Sequence, residues 1–279
     1  MEEVKIEIAE VCSSVKAEDP DFINLLKSQY KDFLSQREPD LTINLQLKEK
    51  SIRRDSESEV RIVFRGKAFK IKRGDIEAEV NLKEGVVNLK QGDNIYSFDS
   101  FLRILYTILM LERDGFLIHA CGVVKDNKGY LFAGLSGTGK TTIANLSSNY
   151  IVLSDEIVIV QRANPGRLLR QAQRVGRACE LYKIVGTPFC GELQKGGENL
   201  SFPLAKLLLL KREKTFWAKR LKYPQAIAKF LSNVLFFSKD LNLNKRLFYL
   251  CSEVCQDVPG YEMSFKPDKS FWRIVEKLH

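Results

Sequence analysis

Gly134-Leu135-Ser136-Gly137-Thr138-Gly139-Lys140-Thr141-Thr142 is the stretch from which the chain is best read. It fits the pattern G-x-x-x-x-G-K-[ST], a loop whose backbone N–H groups curl around phosphate oxygens. Glycines allow that curl because no Cβ stands in the way. Lys140 can reach the β- and γ-phosphates of a nucleotide, and Thr141 can place a hydroxyl on Mg²⁺. Gly134, Ser136, Gly137, Thr138, Gly139, Lys140, Thr141 and Thr142 are therefore the expected nucleotide-binding residues. Tyr130-Leu131-Phe132-Ala133 reads as a short buried strand before the loop, and Thr142-Ile143-Ala144-Asn145-Leu146 as a helix after it. Strand, glycine loop, helix is the context the motif requires, and the helix adds the positive end of its dipole.

Immediately upstream, residues 116–124 read as a strand and Asp126-Asn127-Lys128-Gly129 as a turn. The loop strand is therefore expected to pair as a hairpin with the strand before it. Ordinary P-loop folds place it in a parallel sheet with helical crossovers. Further back, Asp99 is a candidate cap for a helix running to about Glu112, with an apolar stripe of Phe101, Leu102, Leu105, Ile108 and Leu109. Between 40 and 97 apolar residues alternate, with Gly-containing turns between the runs, which predicts an antiparallel meander with one buried face. Residues 1–38 read as polar and partly helical, with Phe22, Leu25, Leu26, Tyr30 and Phe33 at helical spacing. The expected division is an N-terminal helix plus antiparallel β region over 1–97 and a catalytic domain over 98–279.

Downstream, residues 150–160 read as two short strands with Asp155-Glu156 between them. One helix and a turn fit between Lys140 and Asp155, so the carboxylates can return beside the phosphates. Paired carboxylates there hold Mg²⁺ or accept the proton of an attacking hydroxyl. Asp155 is the expected base and metal contact, together with Thr141 for the metal, and Glu156 is the second choice. The bland alternative is a surface turn. His119, one of two histidines, is either a structural strand residue or a member of the site. Glu192 lies in a polar loop that could face a substrate. Residues 204–210 read as a buried strand or a short helix, with flanking Pro203 and Lys211-Arg212 favouring strand; 223–237 and 241–254 read as helices, 261–265 as a last strand and 269–279 as a terminal helix.

The net charge of +9 is concentrated. Residues 161–222 hold 14 Lys and Arg against 4 Asp and Glu, so the excess follows the nucleotide motif. Such a segment is either solvated surface or a platform for an acidic partner. Arg162, Arg167, Arg170, Arg174 and Arg177 are expected on a mobile arm that captures an acidic acceptor. Nucleic acid is disfavoured, since no helix-turn-helix, zinc-finger or RNP-type signature is visible. The acidic N-terminus has no apolar core of a signal peptide, and the greasy run 101–111 is interrupted by Arg103 and too short for a bilayer. The six cysteines are scattered without a C-x-x-C pair, which suits reduced thiols and a cytoplasmic location.

Leu117-Ile118-His119-Ala120, a hairpin turn, the loop 134–142 and Leu153-Ser154-Asp155-Glu156 together resemble the catalytic domain of HPr kinase/phosphorylase and its relatives. Thr187-Pro188-Phe189-Cys190-Gly191-Glu192, and 261–265 with Pro267-Asp268 and Phe271-Trp272, are also similar to HPr-kinase-related proteins. The resemblance implies the fold shared with phosphoenolpyruvate carboxykinase: a mixed α+β and α/β P-loop kinase core with a mixed sheet. It implies ATP and Mg²⁺, and transfer of the γ-phosphoryl group to a hydroxyl, with serine of a protein or peptide the expected acceptor. It brings His119 and Lys140 to the catalytic site beside Asp155 and Glu156. The C-terminal signature loop of HPr kinase itself is missing. A homo-oligomer stays open, as does a nucleotide-binding regulatory or scaffold protein with little turnover.

Overall fold

The computed structural model describes residues 1–48, 59–163, 181–191, 196–213, 215–268 and 270–278. The chain divides into two compact units. The first is 1–106 with 236–240, and the second is 107–235 with 241–279.

The first unit is built on a seven-stranded sheet in the order β1-β2-β3-β7-β6-β5-β4. Its strands are β1 (Glu2–Ile8), β2 (Val11–Ala17), β3 (Leu41–Lys48), β4 (Arg61–Arg65), β5 (Ala68–Arg73), β6 (Ile76–Asn81) and β7 (Val86–Gly92). The predicted alternation sets the faces. Phe69 and Ile71, Ile76, Ala78 and Val80, and Val87 and Leu89 are buried. Glu77 and Glu79 lie on the other face, where Glu77 meets Lys72 at 3.5 Å and Lys48 at 3.6 Å. The meander holds for β4 to β7, but β3 departs from it by pairing parallel to both β2 and β7. Residues 2–17, expected to be polar and partly helical, form an antiparallel hairpin turned at Ala9 and Glu10. Their alternation was short and masked by charge. The helix α1 (Pro20–Gln29) starts on Asp19, whose carboxylate accepts from the N–H groups of Asp21 and Phe22. The next helix, α2 (Ile95–Glu112), starts earlier than expected. Asn94 Oδ1 accepts from Ser97 N at 2.9 Å, whereas Asp99 lies inside the helix and pairs with Arg103 at 2.7 Å.

The second unit carries β8 (Gly115–Lys125), β9 (Lys128–Ala133), α3 (Lys140–Leu146), β10 (Ile151–Ser154), β11 (Ile157–Arg162), β12 (Tyr182–Val185), β13 (Ser201–Leu210), β14 (Trp217–Arg220), β15 (Val234–Leu235) and β16 (Gly260–Ser264). The hairpin β8–β9 turns at Asp126 and Asn127, with φ of 52° and 57°. Asp and Asn tolerate that left-handed backbone, and the twist of such a turn matches that of the strands. Beyond the hairpin, β9 also pairs parallel with β13. Following partners, β8–β11–β12–β13–β9 returns to β8, so five strands close into a barrel.

This closure overturns the expected fold class. The described residues are 40% strand against 29% helix, in two mixed sheets, which is not a helix-flanked P-loop kinase core. Two long strands explain the difference. β8 pairs with β11 through 115–119 and with β9 through 120–125, and β13 passes from β12 to β9 in the same way. Closure also needs room inside. A Cβ at Gly129 would stand 2.2 Å from Ile184 Cγ2, and one at Gly122 would stand 3.0 Å from Ile184 Cδ1. Ile184 of β12 therefore fills space that only glycines on β8 and β9 leave open. Gly129→Ala should cost about 1–3 kcal/mol by overpacking. A drop of several degrees in Tm would show it, and an unchanged Tm would mean that the barrel is not packed this way.

Candidate active site

The site is built where β8 changes partners. β9 ends on β8 at the pair Ala133↔Ala120, and β10 ends at Ser154↔Gly122. β11 begins at Ile157↔His119. The turn Asp155-Glu156 thus lies opposite Ala120-Cys121, and Ala120 N donates to Glu156 O at 3.1 Å. The glycine loop leaves β9 on one side of β8, and the acidic turn leaves β10 on the other. Two strand spacings put their backbones on the order of 10 Å apart, enough to hold phosphate groups between them. β13 and β16 run parallel to β9, so their carboxyl ends open on the same rim. Crevices at the carboxyl ends of parallel strands are where open α/β sheets bind ligands.

The loop takes the form its sequence predicts. Gly137 and Gly139 have φ of 76° and 106°, left-handed backbone that suits glycine. Thr138 closes the turn by donating both its N–H and its hydroxyl to Leu135 O, at 3.2 and 2.7 Å. The ammonium of Lys140 is held inside the curl, 2.8 Å from Gly134 O and 3.3 Å from Leu135 O. Thr141 and Thr142 follow in α3, half-buried. Ser136 is exposed at the tip of the loop.

The acidic turn is fixed by its own serine. Ser154 Oγ accepts from Glu156 N at 3.1 Å and from Ile157 N at 3.2 Å. Asp155 is buried, at 4% exposure, so its carboxylate belongs to the interior of the site rather than to a surface turn. Glu156 is half-buried and its Oε2 accepts from His119 Nε2 at 3.2 Å. Cys121 lies beneath. Burial pushes its thiol far above the ordinary range, Asp155 pushes it further and Lys140 opposes. Both charges thus act on the one buried thiol of the strand that separates the loop from the turn.

His119 and Glu156 meet directly, and the loop carrying Lys140 and the turn carrying Asp155 flank the same stretch of β8. Among the five arginines of the expected arm, Arg162 is not on one. It ends β11, reaches Glu253 at 2.5 Å and lies over the Tyr182 ring. Arg167, Arg170, Arg174 and Arg177, like Glu192, lie outside the described residues. Arg212 was missed. It follows β13, and its Nη1 is 3.8 Å from the position a Cβ would take at Gly137. Its only signal in the sequence was its place after a buried strand, and the parallel pairing that gives this place meaning is not legible there. No helix among the described residues is long and apolar enough to cross a membrane. No group of three or more His, Cys, Asp or Glu gathers among them either. Mg²⁺ bound through substrate phosphates and one or two carboxylates needs no such group, and the oxygen donors of Asp155 and Thr141 suit it.

No family model matches the chain, and no curated protein matches it.

The Ser154 hydroxyl should be measurable in stability. Ser154→Ala leaves two inward N–H groups without their acceptor, at a cost of about 1–3 kcal/mol. Denaturant unfolding should report that loss, and a midpoint equal to that of the unaltered protein would show the turn to be held by other means.

Proposed function

We propose that the chain is an ATP-dependent kinase of the HPr-kinase-related type, transferring the γ-phosphoryl group to a hydroxyl, serine in the first instance, of a protein or peptide. The observation that supports this most is the juxtaposition of a glycine loop holding Lys140 with a buried Asp155 across one strand.

In this reading the loop N–H groups and Lys140 hold the phosphates, and Arg212 borders the same charge from the β13 side. Bound Mg²⁺ would supply further neutralisation of the phosphate oxygens from Thr141 and Asp155. The acceptor hydroxyl gives its proton to the Asp155 carboxylate as its oxygen bonds to the γ-phosphorus. The bond from that phosphorus to the bridging oxygen breaks, and ADP leaves. Glu156 holds the His119 ring at the edge of the site, where the pair can orient the acceptor. The half-exposed His119 and Glu156 leave an approach for a large acceptor. An acidic acceptor is favoured by the exposed Lys211 and Arg212, which follow β13 on the same rim.

Two variants test the reading. Lys140→Ala should remove most ATP affinity in calorimetry, because one buried cation faces several phosphate charges. Unchanged affinity would sink nucleotide binding by this loop. Asp155→Asn keeps the size and removes the charge. It should keep part of the nucleotide affinity and lower phosphoryl transfer by about 10²–10⁴-fold. Transfer at the unaltered rate would point instead to a nucleotide-binding protein whose acid has no chemical role.

A further inference from the structure

The segment beginning at Gly186 is sewn to the acidic turn from both sides. Thr187 Oγ1 donates to Ile157 O at 2.5 Å, just after the turn. Glu198 N donates to Leu153 O at 3.1 Å, just before it, and Gly197 N donates to Thr187 O at 3.1 Å. The approach is so close that a Cβ at Gly186 would stand 2.0 Å from Glu198 O, and one at Gly197 would stand 1.8 Å from Leu153 O. Between these anchors comes Gly191. A Cβ there would stand 3.0 Å from Asp155 Oδ2, 3.1 Å from Asp155 Oδ1 and 3.0 Å from Glu156 Cβ.

We propose that Gly191 is a positioning residue for the Asp155 carboxylate, its bare main chain forming the wall that sets where the acid points. The inference rests on the kinase reading above. Three features carry it. Both carboxylate oxygens, rather than one, lie against the same glycine, so the wall fixes the rotation of the group. The Thr187 hydroxyl, four residues before Gly191, ties the approach to this wall to the strand after the turn. Its backbone is not held in left-handed φ, so the lack of a Cβ here is a demand for space and not for conformation. A methyl group at 191 would have to be met by a movement of a few tenths of an ångström. Of the three atoms met, Glu156 Cβ is fixed to its backbone, so the Asp155 carboxylate at the outer end of its side chain is the part that turns. Catalytic groups need placement within about 0.5 Å, and a misplacement of about 1 Å can cost 10²-fold.

The test compares the full chain with Gly191→Ala and Gly196→Ala. Gly196 is the control, since its Cβ would meet only Pro188, at 3.6 and 3.9 Å, an ordinary contact. ATP affinity is measured by calorimetry with and without Mg²⁺. In Gly191→Ala the metal-free affinity should be unchanged, because the phosphate loop is not touched. The gain on adding Mg²⁺ should shrink by roughly tenfold as Asp155 turns away. Gly196→Ala should match the unaltered protein in both. A second readout needs no nucleotide. The loss of Tm caused by Gly191→Ala should be at least halved in an Asp155→Ala background, where the carboxylate it strikes is gone. If Gly191→Ala alone does not fold, recovery of folding in the double variant serves the same purpose. An unchanged Mg²⁺ gain in Gly191→Ala, or a Tm loss independent of residue 155, overturns the inference while leaving ATP binding intact. Failure of the unaltered chain to bind ATP overturns the kinase reading and this inference with it.

Discussion

The parallel pairing of β9 with β13 is the constraint on which the second unit depends. β9 is already committed to β8 as a hairpin, and the hairpin alone would leave its other edge open. Pairing that edge with β13 does two things. It closes the ring through β12 and β11, which removes exposed edges. It also aligns the carboxyl ends of β9, β13 and β16, so the phosphate loop, Arg212 and Phe265 emerge on one rim. The turn of a hairpin is local, but this pairing spans more than seventy residues of chain and must be won by burial. Leu207, Leu208 and Leu209, opposite Leu131, Phe132 and Ala133, supply that burial.

Behind the rim the loop is braced by aromatic packing. Phe132, Phe271 and Trp272 form a cluster with Tyr130 and Met263, joined by Ile143 and Ala144 of α3. The indole N–H of Trp272 donates to Ser147 Oγ at 3.0 Å, which ties the end of α3 to the C-terminal helix Phe271–Lys277. Phe265 meets the loop itself, since a Cβ at Gly139 would stand 2.8 Å from its Cζ. A helix of seven residues has little stability of its own. Its position, and so that of Lys140, is owed to these contacts rather than to helix propensity.

What the sequence made legible follows from the range of the forces involved. The loop, the hairpin turn at Asp126-Asn127, the strands on either side of Asp155-Glu156 and the alternations Leu41-Ile43-Leu45 and Ile76-Ala78-Val80 are local patterns, and they appear where expected. Local signals also misled. Asp99 looked like a helix cap, yet Asn94 does that work a turn earlier, and Asp99 serves the side-chain pair with Arg103. The barrel, the parallel placement of β3 and the role of Arg212 depend on which distant strands pair, and composition and period carry no record of that. The same holds for Gly122, Gly129 and Gly191, each of which marks a close approach that only the folded chain reveals.

The same economy runs through the site. Charge and backbone meet there at short range, and side-chain bulk is absent wherever they do. Glycines at 137 and 139 let the loop curl, and Lys140 stays inside that curl on two carbonyl oxygens. Across β8, Ser154 uses one hydroxyl to hold two N–H groups of the acidic turn, so that turn is fixed without a bulky neighbour. Cys121, on the strand between the loop and the turn, is small, packed in the core with Ile143 and Phe132, and held far from ionisation by burial first and by Asp155 second. A larger residue at 121 would crowd the core it shares with Val123, Phe132 and Ile143, and a charged one would be buried there among apolar side chains. The floor of the site is therefore as constrained as its charged walls. The limits on residue 121 come from the strand spacing that β8 imposes on both sides, rather than from any contact of its own with a substrate.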